Sequence, residues 1–141
     1  KAMTQGLQAM GKAQSLEDFQ QVAGQFERVA ANVEDQWHPQ YYAALAYINM
    51  SFRVNEIEKK DQLTDKAQKY IDKALSIDPK NSEVVALQGF KYMIELSADP
   101  GARGQSMSPK AMQYLGKAVS LQKRCVGTRM RSVMHRSTSI I

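Results

Sequence analysis

Two stretches of the chain, KAQKYIDKALSI at residues 66–77 and KAMQYLGKAVSL at residues 110–121, carry Lys-Ala, Tyr, a second Lys-Ala and Ser in the same order, 44 residues apart. A segment written twice in one chain is a packing unit used twice: it buries its apolar side only by stacking on its neighbours. Each copy places its small and aliphatic residues at helical spacing, with Ala67, Ile71 and Ala74 in the first and Ala111, Leu115 and Ala118 in the second. The first copy runs on into Asp-Pro-Lys-Asn, a helix-ending turn, whereas the second runs into a basic tail.

Apolar residues recur three and four apart through most of the remaining chain, the period of an amphipathic helix. From Leu16 they fall at Phe19, Val22, Ala23, Phe26, Val29, Ala30 and Val33, behind a Ser15–Asp18 capping-box pattern. His38-Pro39 opens a second such run, with Tyr42, Leu45, Ala46, Ile48 and Phe52 on its inner side. Asp61 or Thr64 is placed to cap the helix that carries the first repeated segment, and Asn81-Ser82 starts another. The Gly, Pro and Ser residues of 98–109 read as the clearest loop in the chain, with Pro109 in the first turn of a final helix. With a short helix over residues 2–12, the expectation is six helices and no strand: an all-α chain of helix pairs.

The spacing Ala67-x3-Ile71-x2-Ala74-x4-Pro79 resembles the second-helix half of a tetratricopeptide repeat, and Ala111-x3-Leu115-x2-Ala118 repeats it. The first-helix half is matched by Tyr42-x2-Leu45-Ala46-x2-Asn49 and by Val85-x2-Gln88-Gly89-x2-Tyr92, with a more degenerate pair over residues 2–33. The resemblance covers residues 1 to 122 and implies a right-handed superhelical stack of about three antiparallel helix pairs. The family's period is about 34 residues, so each clear repeat carries roughly ten extra, assigned to the turns at 53–63 and 97–108.

Charge divides the chain at the same place. The net +5 resides in the last residues, where Lys123, Arg124, Arg129, Arg131 and Arg136 have no acid beside them; the last carboxylate side chain is Asp99. Residues 123–141 read as a separate basic tail without a helical apolar stripe: either a non-native terminus that truncates a longer array, or a genuine basic extension. At 141 residues, 43% hydrophobic and 23% charged, the chain is large enough to bury a core without disulfides or metals, and Cys125 is its single cysteine. No stretch approaches the roughly 20 apolar residues of a membrane helix. The start at Lys1 without a Met suggests removal of an upstream piece; the compartment is unknown, the resemblance to bacterial-type repeats implying the bacterial cytoplasm or, if that piece was a signal peptide, the periplasm.

No residue presents itself as catalytic, cofactor-binding or metal-ligating. Cys125 and His135 have no third group to orient them. Glu56, Glu58, Asp61 and Asp65, interspersed with lysines, lack the spacing of a calcium loop and read as a solvated face. His38 fits a turn at a helix start. PGARGQS at 100–106 has no following Lys-Ser/Thr, so a phosphate-binding loop is not expected. The tail supplies only generic attraction to nucleic acid or anionic lipid.

The family resemblance implies a concave groove lined by the first helix of each pair, where an extended or helical segment of a partner docks. Carried over by register, its residues are Ala43, Tyr47 and Met50, then Ala86, Phe90 and Met93, with Met3, Leu7 and Met10 from the first pair. The Lys and Asn residues that clamp a terminal carboxylate in some members do not occur at these positions, which disfavours a cochaperone gripping a chaperone tail. The implied function is a non-enzymatic scaffold that binds a protein or peptide in an apolar, Met-rich groove. The alternative is a structural role in which these side chains are simply buried and the chain self-associates, for instance as a homodimer through its C-terminal helix. Met112, Leu115, Val119 and Leu121 have no recognisable helix after them; the expected cover is either the tail's Val126, Met130, Val133, Met134, Ile140 and Ile141 or a second molecule.

Overall fold

A computed structural model describes the backbone of residues 2–138 and the side chains of 3–122. It contains helices α1 (Ala2–Lys12), α2 (Leu16–Asn32), α3 (Trp37–Ser51), α4 (Ile57–Ile77), α5 (Ser82–Ala98) and α6 (Pro100–Thr138), and no strand among the described residues. The chain is all-α, as the periodicity implies.

Local chemistry sets where the helices begin. Ser15 Oγ accepts from the Asp18 amide at 3.1 Å while Asp18 Oδ2 accepts from the Ser15 amide at 3.2 Å, a complete capping box. The amides of Gln14 and Ser15, with the Ser15 hydroxyl, hold the Asp18 carboxyl below the usual carboxylate range. Asn81 caps α5, its Oδ1 accepting from the amides of Glu83 and Val84 at 3.0 and 3.2 Å. Asp61 and Thr64 are not caps: α4 begins four residues before Asp61, without a side-chain cap, and both residues lie inside it.

The expected loop at 98–109 is also helical. Asp99 caps α6, accepting from the Ala102 amide at 3.1 Å, and Pro100 occupies the first helical position, where its missing N–H costs nothing. Pro109 therefore lies inside a helix; it and Gln105, whose carbonyl it cannot reach with an N–H, are both exposed, which limits the cost of the lost hydrogen bond. Packing offsets the weak helix propensity of Gly101 and Gly104: Arg103, Met107, Ala111, Tyr114 and Ala118 form one buried or half-buried side at three- and four-residue spacing. Beyond Leu121 the backbone stays helical to Thr138 instead of becoming an irregular tail. No Pro follows Pro109, and Gly127 alone interrupts a run of tolerable helix formers. The tail's apolar side chains, expected as a cover, lie outside the described residues.

Each helix packs mainly on its neighbours in chain order, and α3 also touches α5. The core forms two clusters that share α3. In one, Phe19, Val22, Ala23 and Phe26 of α2 meet Ala43, Ala46 and Met50 of α3, with Met3 and Met10 of α1 against them. Gly6 allows α1 to seat there, because a Cβ at that position would lie 2.8 Å from the Phe26 ring. In the other, Ala44 and Ile48 of α3 meet Ala67, Ile71 and Ala74 of α4 and Val84, Leu87 and Ile94 of α5. Burying one such aliphatic side chain contributes about 1.5–3 kcal/mol, so α4, covered by α3 and α5 together, is the best-anchored copy of the repeated segment.

Candidate partner-binding cleft

The α5–α6 contact depends on the absence of a side chain. A Cβ on Gly89 would stand 2.9 Å from Leu115 Cγ and 3.1 Å from the Leu115 amide nitrogen, so glycine brings the two backbones together. Tyr92 and Tyr114 pack beside this point with ring centroids 5.6 Å apart. Tyr41 and Leu45 of α3 lie across from this helix pair. The result is an open cleft of about 530 Å³ walled by Tyr41 and Leu45 of α3, Ala86, Leu87 and Phe90 of α5, and Leu115, Ala118 and Val119 of α6. Ser82, Glu83 and Gln122 are its polar lining residues. Burial, then the nearby Glu83 carboxylate, push the Tyr41 hydroxyl above its ordinary range, so it stays a neutral hydrogen-bonding group at physiological pH.

Of the groove residues read from the sequence, Ala86 and Phe90 line this cleft, and Met93 lies exposed on the same helix. Phe90 continues onto the exposed Phe52, which caps the C-terminal end of α3, centroid to centroid 5.6 Å. Ala43 and Met50 do not line a groove: both are buried against α2. Tyr47 points away from the cleft, donating its hydroxyl to Glu27 of α2 and stacking on Tyr70 of α4 at 6.2 Å. Met3 and Met10 are half-buried on the first core cluster, while Leu7 is exposed on α1; none of the three lines this cleft.

The misplacement in α3 has a definite origin. The motif reading set Ala46 opposite Gly89, 43 residues away, whereas the repeated segments in α4 and α6 are 44 apart. At the latter spacing Ala43 corresponds to Leu87 and Met50 to Ile94, and all four are buried. A slip of one residue turns the assigned face by about 100°. From Tyr41 to Met50 only Asn49 is without an apolar or aromatic side chain, so the sequence offers no polar face to fix the phase. The slip does not account for the wall residues Tyr41 and Leu45, which at the 44-residue spacing correspond to the buried Val85 and Gly89.

Charged side chains supply structure that the residue pattern did not disclose. Arg103 of α6 grips Asp61 of α4 through two hydrogen bonds of 2.8 and 2.7 Å and also donates to the Glu95 carbonyl at 3.3 Å. This grip lowers the Asp61 pKa and raises that of Arg103. Asp61 is thus a strut between two helices and not part of a freely solvated face. Lys91 and Glu95 form a buried ion pair at 2.9 Å, one turn apart on α5. At Tyr70, burial and then the Glu27 carboxylate push the hydroxyl up to about 12.

Among the described residues there is no group of three or more His, Cys, Asp or Glu side chains placed to hold a metal ion, and no helix long and apolar enough to cross a membrane. No protein-family model matches the chain, and neither curated proteins nor solved structures yield a match.

Proposed function

We propose that the protein is a non-enzymatic binding module in which the pairs α3–α4 and α5–α6 act as divergent tetratricopeptide-like repeats and the cleft between α3, α5 and α6 takes a segment of another protein. The observation that carries this reading is the cleft itself. It is open, about 530 Å³ in volume, and its walls are aliphatic and aromatic with a few polar groups at the edge, the usual make-up of a recognition site. The repeated segment in α4 and α6, together with packing in chain order, supports the repeat architecture.

Ala86 is the position from which to test it, since it is half-buried in the cleft wall and belongs to neither core cluster. Peptides selected from a displayed random library on the wild-type protein are then measured against Ala86→Arg, with circular dichroism confirming equal helicity. Binding that falls about tenfold or more in the variant supports the cleft as the site. Selected peptides that bind both proteins alike place recognition elsewhere and overturn the proposal.

A further inference from the structure

The two copies of the repeated segment meet different surroundings, and the difference identifies an occupant. In α4, one stripe is covered: Thr64 and Ile71 are fully buried, Gln68 exchanges hydrogen bonds of 2.7 and 2.8 Å with Gln88 of α5, and Leu75 packs on the cluster around Val84 and Leu87. The corresponding stripe in α6, 44 residues on, is Ser108, Met112, Leu115 and Val119. There Met112 is 73% and Val119 53% exposed, and Leu115 is half-buried. The position of Gln68, which bonds to the next helix, has become Met112, so the open copy is more apolar than the covered one.

We infer that this stripe on α6, with the adjoining cleft, docks an amphipathic helix of another protein, seated on α6 as α5 is seated on α4, and that this helix carries acidic residues on its flanks. The inference deepens the proposed function and rests on it. The covered copy of the segment supplies the geometry. Helix α5 brings Val84, Leu87 and Ile94, three and seven residues apart, to the cluster on which Ile71 and Leu75 pack, and Leu115 and Val119 repeat those two positions.

Charge supplies the flanks. Every formally charged residue after Asp99 is Lys or Arg. Arg103 is taken up by Asp61, so among the described residues the exposed Lys110 and Lys117 give α6 its preference for acidic over basic flanks. The same fact argues against a second copy on this face, since antiparallel α6 helices would bring two acid-free, multiply cationic segments together. An apolar seam of Met, Leu and Val in turn favours a helix over a nucleic-acid backbone, which presents no apolar face to it.

Three synthetic peptides test this by fluorescence anisotropy. The first is a helix-forming sequence with Leu and Ala at i, i+3, i+4 and i+7 and Glu on both flanks. The second has Lys in place of each Glu; the third keeps the first composition but is interrupted by Pro and extended. The acidic helix is expected to bind wild type at least about tenfold more tightly than either other peptide, and to lose about tenfold on Val119→Lys with Met112→Lys. Both substituted positions are exposed, so folding is retained.

If the Pro-interrupted peptide binds as well as the helix, the inference fails while the cleft reading survives. An acidic helix that tolerates Val119→Lys with Met112→Lys overturns the inference, as does the failure of all three peptides to bind; Ala86→Arg judges the cleft separately. Light scattering that finds a wild-type dimer dissolved by Val119→Lys assigns the stripe to a second copy and also overturns the inference.

Discussion

Helices α4 and α6 carry nearly the same segment, yet Ile71 in the first is inaccessible to solvent while Leu115, its counterpart in the second, is only half-buried beside an exposed Met112 and Val119. Both seams of small residues are used in the same way: Ala67 and Ala74 in α4, like Ala111 and Ala118 in α6, are buried. The side that pairs with the preceding helix is satisfied in both copies. Of the side that α5 covers in α4, Leu115 in α6 leans on Gly89 of α5, while Met112 and Val119 are open. A helical-repeat segment therefore has two separable functions, closing its own pair and receiving a neighbour.

The comparison makes its largest prediction at the two aliphatic counterparts. Ile71→Ala removes side-chain volume from a site covered by α3 and α5 and is expected to cost about 2–5 kcal/mol, whereas Leu115→Ala should cost about half as much because its cavity opens to water. Paired urea melts decide the matter; equal losses would mean that the two copies are equally covered. A smaller effect concerns how closely α6 approaches α5. Gly89→Ala forces a methyl group against Leu115 and its backbone nitrogen and should cost about 1–3 kcal/mol. At Gly24, where no atom lies within 4 Å of a built Cβ, the same change should stabilise α2 by about 0.5–1 kcal/mol in thermal melts.

Asp61→Asn should have an effect as small as that of Gly24→Ala. It severs the strut from α4 to α6, but Asp61 is more than a third exposed, so screening limits the loss to about 1 kcal/mol. Its sign with pH is fixed: the folded-state pKa lies below the unfolded value, so the contribution is present above about pH 4 and fades as acid protonates the folded carboxylate. Wild type should thus lose its advantage over Asp61→Asn between neutral pH and about pH 3, measured by denaturant midpoints. An advantage that grows on acidification would contradict the strut.

Much of this was legible in the residues, for reasons that differ along the chain. The repeated segment, the Ser15 capping box and the Asn81 cap are local patterns with local causes, and all three occur as read. The stretch from Asp99 to Pro109 misled because Gly, Pro and Ser describe backbone preference, while the helix there is held by the bidentate grip of Arg103 on an aspartate 42 positions away and by packing on α5. The cleft was half legible. Ala86 and Phe90 belong to a helix whose exposed and buried sides alternate, but α3 lies between two core clusters and is apolar nearly all round, which left its rotation undetermined. The buried Lys91–Glu95 pair resembles any surface i, i+4 pair in sequence, and only the covering helices distinguish it.

The most direct test of the central claim compares thiol reactivity at matched positions of the two copies. In a Cys125→Ser background, which removes the only native cysteine, Leu75→Cys and Val119→Cys occupy the same place in the repeated segment. The account predicts that a maleimide labels Val119→Cys at nearly the rate of an unstructured thiol, while Leu75→Cys reacts at least about tenfold more slowly because α5 covers it. Equal rates at the two positions, whether both fast or both slow, would contradict it.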